Sequence, residues 1–119
     1  MSTKTNQYFP LPLDVRKISG ELWELLAPFE YHRANGEVIR AEKGFMTDFG
    51  SKPWWSISFA GSPTDEGGEA YVIHDWLCVH ATWPRAKTDR IFLEALKDCN
   101  MSYLKRMVIY FAVRIYSFF

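Results

Sequence analysis

Apolar and polar residues alternate along the first part of the chain and predict a β-strand. Side chains at every second position are apolar, namely Trp23, Leu25, Ala27, Phe29 and Tyr31. A period of two places them on one face of a strand and leaves Glu24, Glu30 and His32 on the other. Leu26 and Pro28 interrupt that polar face, and a proline in a strand is typical of a sheet edge. We therefore expect a half-buried strand near an edge.

A β-hairpin is predicted next, because Asn35 and Gly36 form a strong turn signal. A two-residue loop would place apolar residues opposite charged ones. A three-residue loop over 34–36 instead sets apolar residues opposite one another. The resulting pairs are Tyr31 with Ile39, Phe29 with Ala41 and Leu25 with Phe45. We predict this longer loop, with Gly36 in the left-handed conformation.

Helical spacing replaces the alternation from about Glu69 onward. The first helix carries a mostly apolar stripe made of Ala70, Ile73, His74, Leu77, Cys78 and Ala81. The second begins near Thr82, which is expected as its N-cap, with Pro84 in the first turn. Its inward stripe is Asp89, Phe92, Leu96 and Cys99. Ser102 is expected to cap the third helix, whose stripe is Leu104, Val108, Phe111, Ala112 and Ile115.

The order of these elements predicts an α+β fold, in which an N-terminal antiparallel β-hairpin or small sheet is followed by three packed α-helices. A length of 119 residues favours a single domain over residues 1–119. Within it we expect an extended segment over 1–20, the hairpin over 21–46, a loop over 47–68 and the helices over 69–119.

Composition and charge narrow the possible classes of protein. The 14 basic residues balance the 14 acidic ones, so the chain lacks the positive charge that dominates binding to nucleic acid. We expect no nucleic-acid partner. The N-terminal stretch has no apolar run long enough for a signal peptide, and charged residues interrupt the apolar C-terminal segment, which argues against a transmembrane helix. The two cysteines lack metal-site spacing and suit reduced thiols in a cytoplasm.

Two polar residues occupy stripes that should face the core. His74 lies on the stripe of the first helix and Asp89 begins the stripe of the second. A lone polar side chain in such a position is costly unless it finds a partner. The predicted partners are each other, Arg85 one turn before Asp89, or Asp48 and Ser51 of the loop "GFMTDFGSKPWW". The sequence therefore predicts a polar cluster where this loop meets the helices.

Three interpretations of that cluster stay open. In the first, His74 donates to Asp89 or Asp48 and Arg85 bridges to Asp89, so that the network only holds the loop to the helices. In the second, Asp48, His74 and Asp89 bind a divalent metal such as Zn, Mn or Mg, with Asp75 as a further carboxylate. In the third, His74 is a general base that activates Ser51 or a water molecule.

Two surfaces are further candidates for binding a partner. Trp54, Trp55 and Phe59 could form an exposed aromatic ledge of the kind that anchors protein partners, although packing within the loop or core explains them as well. The basic residues of the third helix, beside its apolar stripe, could touch an anionic membrane surface. A core helix with a solvated edge is the simpler expectation for that helix.

Four stretches together resemble a known family. They are "GFMTDFGSKPWW", "AYVIHDWLC", "RAKTDRIFLEALKD" and "MVIYFAVRIYSFF". In this order and at these distances they resemble a phage and prophage family named as domain of unknown function 1353, whose pattern includes a GFxTDxxSxP loop, an HDWL helix and an RxxAD helix. The similarity covers roughly residues 23–119. The matched polar positions are Thr47, Asp48, Ser51, His74, Asp75, Arg85 and Asp89, while Lys52, Cys78 and Thr88 depart from the family's usual residues.

The resemblance implies a phage-encoded or prophage-encoded protein but brings no established reaction with it. Phage proteins of this size include lysis or cell-envelope enzymes, virion accessories and inhibitors of host factors. A compact His and Asp cluster favours hydrolysis by an activated water molecule. Arg85 would then hold Asp89 or an anionic group of the substrate. The alternative expectation is a non-enzymatic phage accessory protein or inhibitor of a host factor, in which the same cluster is structural and the partner is a host protein.

Overall fold

Five short strands precede three helices in the computed structural model, which describes residues 5–20, 22–49 and 67–117. The strands are β1 (Val15–Ser19), β2 (Leu22–Leu25), β3 (Phe29–His32), β4 (Val38–Ala41) and β5 (Met46–Thr47). The helices are α1 (Gly68–His80), α2 (Arg85–Asp98) and α3 (Tyr103–Tyr116). The predicted α+β arrangement, with antiparallel strands followed by three helices, is confirmed.

The predicted long strand from Trp23 to Tyr31 is divided into β2 and β3. β2 lies between β1 and β5 in a three-stranded antiparallel sheet, and β3 pairs with β4 in a separate two-stranded sheet. The break falls at residues 26–28, where Pro28 lacks the backbone N–H that a continuous ladder requires. The amide of Leu26 instead donates to the carbonyl of Asp14, just before β1, at 2.8 Å.

The hairpin register follows the prediction across both sheets. Phe29 lies opposite Ala41 and Tyr31 opposite Ile39, and the amide of Leu25 donates to the carbonyl of Phe45 at 2.9 Å. The loop has three residues, 34–36. It is closed by a hydrogen bond from the Arg33 amide to the Glu37 carbonyl at 2.8 Å. Gly36 has a φ of 95°, so the left-handed conformation that the turn needs is also confirmed.

The N-terminal segment, predicted only as extended, supplies one strand of the sheet and part of the hydrophobic core. Its last part forms β1, in which Val15 lies opposite Leu25 of β2. Earlier in the segment, the ring of Phe9 stacks on those of Tyr31 and Phe29, at 4.8 and 5.8 Å between ring centroids. These residues are buried and belong to the cluster that also contains the inner faces of α1 and α2.

The helix boundaries agree with the predicted stripes, with one exception at an N-terminus. α2 begins at Arg85, and Pro84 occupies the N-cap position without a side-chain hydrogen bond. The prediction of Thr82 as the cap was wrong, because the chain enters the helix two residues later than Thr82. For α3 the predicted cap is confirmed, since the hydroxyl of Ser102 accepts from the amide of Lys105. No helix within the described ranges is long and apolar enough to cross a membrane.

The apolar stripe of α3 faces outward, and the prediction that it packs into the core was wrong. Leu104 is 75% exposed and Ile115 is 57% exposed, and Val108 and Phe111 between them are exposed as well. The buried side of α3 instead carries Ile109. A polar contact of this helix with α2, described below, fixes this rotation.

Candidate functional site

One buried carboxylate joins the three helices. Asp89 of α2 is 0% exposed, and its Oδ1 accepts from Nε2 of His74 at 2.7 Å and from Nε of Arg85 at 2.8 Å. Its Oδ2 accepts from Nη1 of Arg114 at 2.7 Å. His74 belongs to α1, Arg85 and Asp89 to α2, and Arg114 to α3, so every helix supplies at least one member of this network. The predicted contacts of Asp89 with His74 and Arg85 are both present.

The network keeps Asp89 ionised. Burial by itself raises the pKa of this carboxyl, but the hydrogen bonds from His74, Arg85 and Arg114 outweigh it and lower the pKa to about 2. Two guanidinium groups and one imidazole N–H therefore surround a negative charge that would otherwise be expensive to bury. Asp89 is accordingly the anionic centre of an interior cluster at neutral pH.

His74 is held neutral within that cluster. Its burial, at 7% exposure, lowers the pKa, and the attraction of Asp89 offsets only part of this effect. A neutral imidazole carries one N–H, and the contact with a carboxylate requires that hydrogen on Nε2. Nδ1 is then the acceptor nitrogen. The ring of Phe92 covers the imidazole at 4.5 Å between centroids, which leaves His74 little contact with solvent.

Cys78 lies beside His74 without forming a catalytic pair. Its Sγ is 3.9 Å from Nδ1 and 3.7 Å from Nε2, so the sulfur meets both nitrogens at similar distances rather than bonding to one. Loss of solvent around the sulfur raises the pKa of Cys78 to about 11, although part of the residue is exposed. The group is a thiol at neutral pH and lacks the thiolate that a nucleophile needs.

Asp48 belongs to a separate surface cleft. The cleft has a volume of about 280 Å³ and lies between β2, β5 and α1. Its lining residues are Leu22, Phe45, Met46, Thr47, Asp48, Asp75, Cys78 and Val79. The hydroxyl of Thr47 donates to Oδ2 of Asp75 and accepts from the amide of Phe49 at 3.1 Å. Thr47 and Asp75 thus join the end of β5 to α1, and the carboxyl groups of Asp48 and Asp75 both line the cleft.

The predicted cluster is therefore divided between the interior and this cleft. His74, Asp89 and Arg85 meet inside, whereas Asp48 and Asp75 line the surface cleft. Within the described ranges, no three His, Cys, Asp or Glu side chains are arranged to hold a metal, which leaves the set Asp48, His74 and Asp89 without geometric support as metal ligands. Ser51, Trp54, Trp55 and Phe59 lie outside the described residues, and their predicted roles stay predictions.

Arg114 is the member of the network that sequence reasoning missed. Its charge was interpreted as an interruption of the apolar C-terminal segment and as a contact to an anionic membrane surface. Two signals were available: an arginine inside an otherwise apolar helix needs a partner, and it stands in the stretch "MVIYFAVRIYSFF" that resembles the family. Its side chain is 24% exposed and passes inward to Asp89.

Fold and site together define a small α+β protein with an interior His, Asp and Arg network and an acidic surface cleft. The family model described as "Protein of unknown function (DUF1353)" matches residues 23–113, and the chain belongs to this family. The match extends from β2 into α3 and ends at Val113, beside Arg114. It includes His74, Arg85 and Asp89 of the network and every described residue of the cleft except Leu22. A search of curated proteins and a search of solved structures found no match.

Proposed function

We propose that this chain is a phage-encoded or prophage-encoded binding protein without enzymatic activity, acting on a host protein in the host cytoplasm. The observation that carries the proposal is the saturation of Asp89. Both of its oxygens accept hydrogen bonds from side chains of the same molecule, in a site with 0% exposure. The viral origin and the role of an accessory or inhibitor are supported by the motif resemblance.

The interior network is poorly suited to chemistry. A general base must come within hydrogen-bond reach of the proton that it removes, and His74 is nearly enclosed by protein. A metal bound at Asp89 would have to displace two arginines, whose positive charges repel a cation. The same contacts are well suited to holding α1, α2 and α3 together. The network is therefore structural, and the function belongs to the surface.

The cleft between β2, β5 and α1 is the surface that we assign to partner binding. Exposed apolar side chains of Leu22, Met46 and Val79 surround the carboxylates of Asp48 and Asp75. Apolar walls supply binding energy and a few charged groups supply orientation, as in most protein recognition sites. A matching partner is a protein segment in which an apolar side chain stands beside a lysine or arginine.

Site-specific photo-crosslinking in the host cell tests this assignment. A photoreactive residue at position 46 should give one discrete protein adduct, and the yield should fall at least several-fold when Asp75→Asn removes one charge. The same photoreactive residue at Val38, which is exposed on β4 away from the cleft, is the matched control. Equal adducts from both positions, or an adduct unaffected by Asp75→Asn, would contradict the assignment.

A hydrolase is the second candidate, favoured by the meeting of Asp48, Asp75 and the Thr47 hydroxyl in one accessible cleft. A carboxylate in such a position can activate a water molecule. Activity against cell-envelope or other substrates that Asp75→Asn abolishes, at an unchanged melting temperature, would favour this candidate. If the chain is a binding protein instead, His74→Ala should lower the melting temperature, and the wild type should show no hydrolytic activity.

A further inference from the structure

The outer face of α3 is apolar along its whole length. Leu104, Val108, Phe111 and Ile115 are exposed there, and a groove of about 510 Å³ runs along Val108, Phe111, Ala112 and Ile115. The four exposed residues follow one another at intervals of four, three and four positions. This is the spacing of the a and d positions of a coiled-coil heptad, and we call these four residues the α3 seam.

Two of the three cations of α3, Arg106 and Arg114, are directed away from the seam. Arg114 is bound to Asp89, and Nη1 of Arg106 donates to the carbonyl of Met101 at 3.0 Å. The guanidinium of Arg106 also lies over the ring of Tyr103 at 5.1 Å. Every position of the seam is apolar, so a second apolar helix could lie along it without burying a charge.

We propose that the seam binds the seam of a second copy of this chain, forming a parallel two-stranded dimer. Val108 and Ile115 take the a positions, while Leu104 and Phe111 take the d positions. β-Branched residues at a with leucine at d favour two parallel strands. In this arrangement the flanking Met107 of one copy faces Ala112 of the other, which adds an apolar contact and no charged one.

Charge favours a second copy over a membrane as the occupant. The chain has a formal net charge of zero, so two copies do not repel each other, and an anionic membrane gains little long-range attraction. Interfacial helices use Lys and Arg on the polar face to bind anionic lipids, whereas two cations of α3 are engaged within the molecule. One helix of 14 residues offers less area than a standard interface, so we expect a dissociation constant on the order of micromolar.

Sedimentation equilibrium of the full chain, under reducing conditions and over a range of concentrations, tests the proposal. The wild type should show a monomer–dimer equilibrium that Val108→Glu weakens at least tenfold. Val38→Glu is the matched control, because Val38 is 48% exposed and Val108 is 42% exposed. A wild type that stays monomeric throughout, or a Val108→Glu variant that associates like the wild type, overturns the proposal.

Disulfide trapping tests the parallel register independently. In a Cys78→Ser background, Leu104→Cys should form a covalent dimer on mild oxidation, because equivalent d positions face each other. Val38→Cys should not. Equal trapping at both positions contradicts the seam. Binding of a monomeric wild type to vesicles of anionic phospholipid, lost in Val108→Glu, would assign the face to a membrane and overturn the dimer.

Discussion

Arg114 of α3 donates from Nη1 to Oδ2 of Asp89 in α2 at 2.7 Å, and this contact fixes how the last helix lies on the protein. Because the arginine points inward, the strongly apolar side of α3 is turned outward. The charge pair thus acts together with the burial of Ile109 on the inner side of the helix. The outward apolar face of α3 and the interior network are linked in this way.

Replacing Arg114 by glutamine should destabilise the fold. The change leaves the buried Oδ2 of Asp89 without its cationic donor, and the free energy of unfolding should fall by about 1 to 3 kcal/mol in urea titrations. Arg16→Gln is the control, because the pair of Arg16 with Glu24 is on the surface and contributes less than about 1 kcal/mol. Equal losses for the two variants would show that the Asp89 contact adds nothing.

The pH dependence of stability should report the ionised state of Asp89. Its pKa is about 2 in the folded protein and lies below its ordinary value of 3.8, so the folded state binds the proton less readily than the unfolded chain. The stabilisation is complete above the ordinary pKa, is lost as the pH falls from about 4 to 2, and amounts to about 2 kcal/mol. Asp89→Asn should lack this part of the acid-induced loss. Identical acid slopes in wild type and variant would contradict it.

His74 should be neutral at pH 7 and should gain its second ring proton only below its ordinary pKa of 6.5. Its pKa is lowered by burial, so its contribution to stability is present above the ordinary value of 6.5 and is lost as the pH falls through the lower folded-state pKa. Nitrogen NMR of the imidazole should show hydrogen on Nε2 and none on Nδ1 at neutral pH. A doubly protonated ring at neutral pH would contradict both the tautomer and the structural role.

In a second network the pKa values of two neighbouring carboxyls shift in opposite directions, down for Glu94 and up for Asp98. The hydroxyl of Tyr31 lies 2.6 Å from Oε2 of Glu94 and 2.6 Å from Oδ2 of Asp98, but it can donate only one hydrogen. Glu94 also accepts from Arg33 at 2.9 and 3.0 Å. Desolvation raises the pKa of Asp98, and its protonated form can donate to Tyr31. The ionised form of Asp98 therefore destabilises the folded state relative to the protonated form.

Asp98→Asn should therefore leave stability at neutral pH unchanged or raise it, because the amide supplies a donor at every pH. Glu94→Gln should lower it by about 1 to 3 kcal/mol, because Arg33 loses its carboxylate. Asp98 stabilises most below its ordinary pKa, and this contribution is lost as the pH rises through the raised value. Thermal unfolding at several pH values distinguishes the variants. A larger loss for Asp98→Asn than for Glu94→Gln would reverse the assignment.

Local patterns predicted the parts of this fold that depend on neighbouring residues. The pairing of Tyr31 with Ile39 follows from matching two short alternating stretches around one glycine turn. The contact of His74 with Asp89 follows because each stands alone among apolar neighbours. The position of Asp48 depends on how a long loop leaves the sheet, which no periodicity describes. The apolar stripe of α3 did not predict the rotation of that helix, since such a stripe looks the same whether it meets a core or a solvent-exposed face. The charge of Arg114 within the apolar helix was the signal that pointed to it.

The carboxylate shared by α1, α2 and α3 also has a consequence for how the helices open. If α1 or α3 separated, Asp89 would lose the donor that this helix supplies. If α2 separated, Arg114 would lose the carboxylate that it binds. Separation of any one helix therefore breaks at least one buried contact of Asp89, which adds about 1 to 3 kcal/mol to the free energy of its opening. Backbone amides in the middle of α3 should accordingly exchange their hydrogens more slowly than its exposed outer side alone would suggest. We expect the three helices to open less independently than helices joined by apolar packing alone.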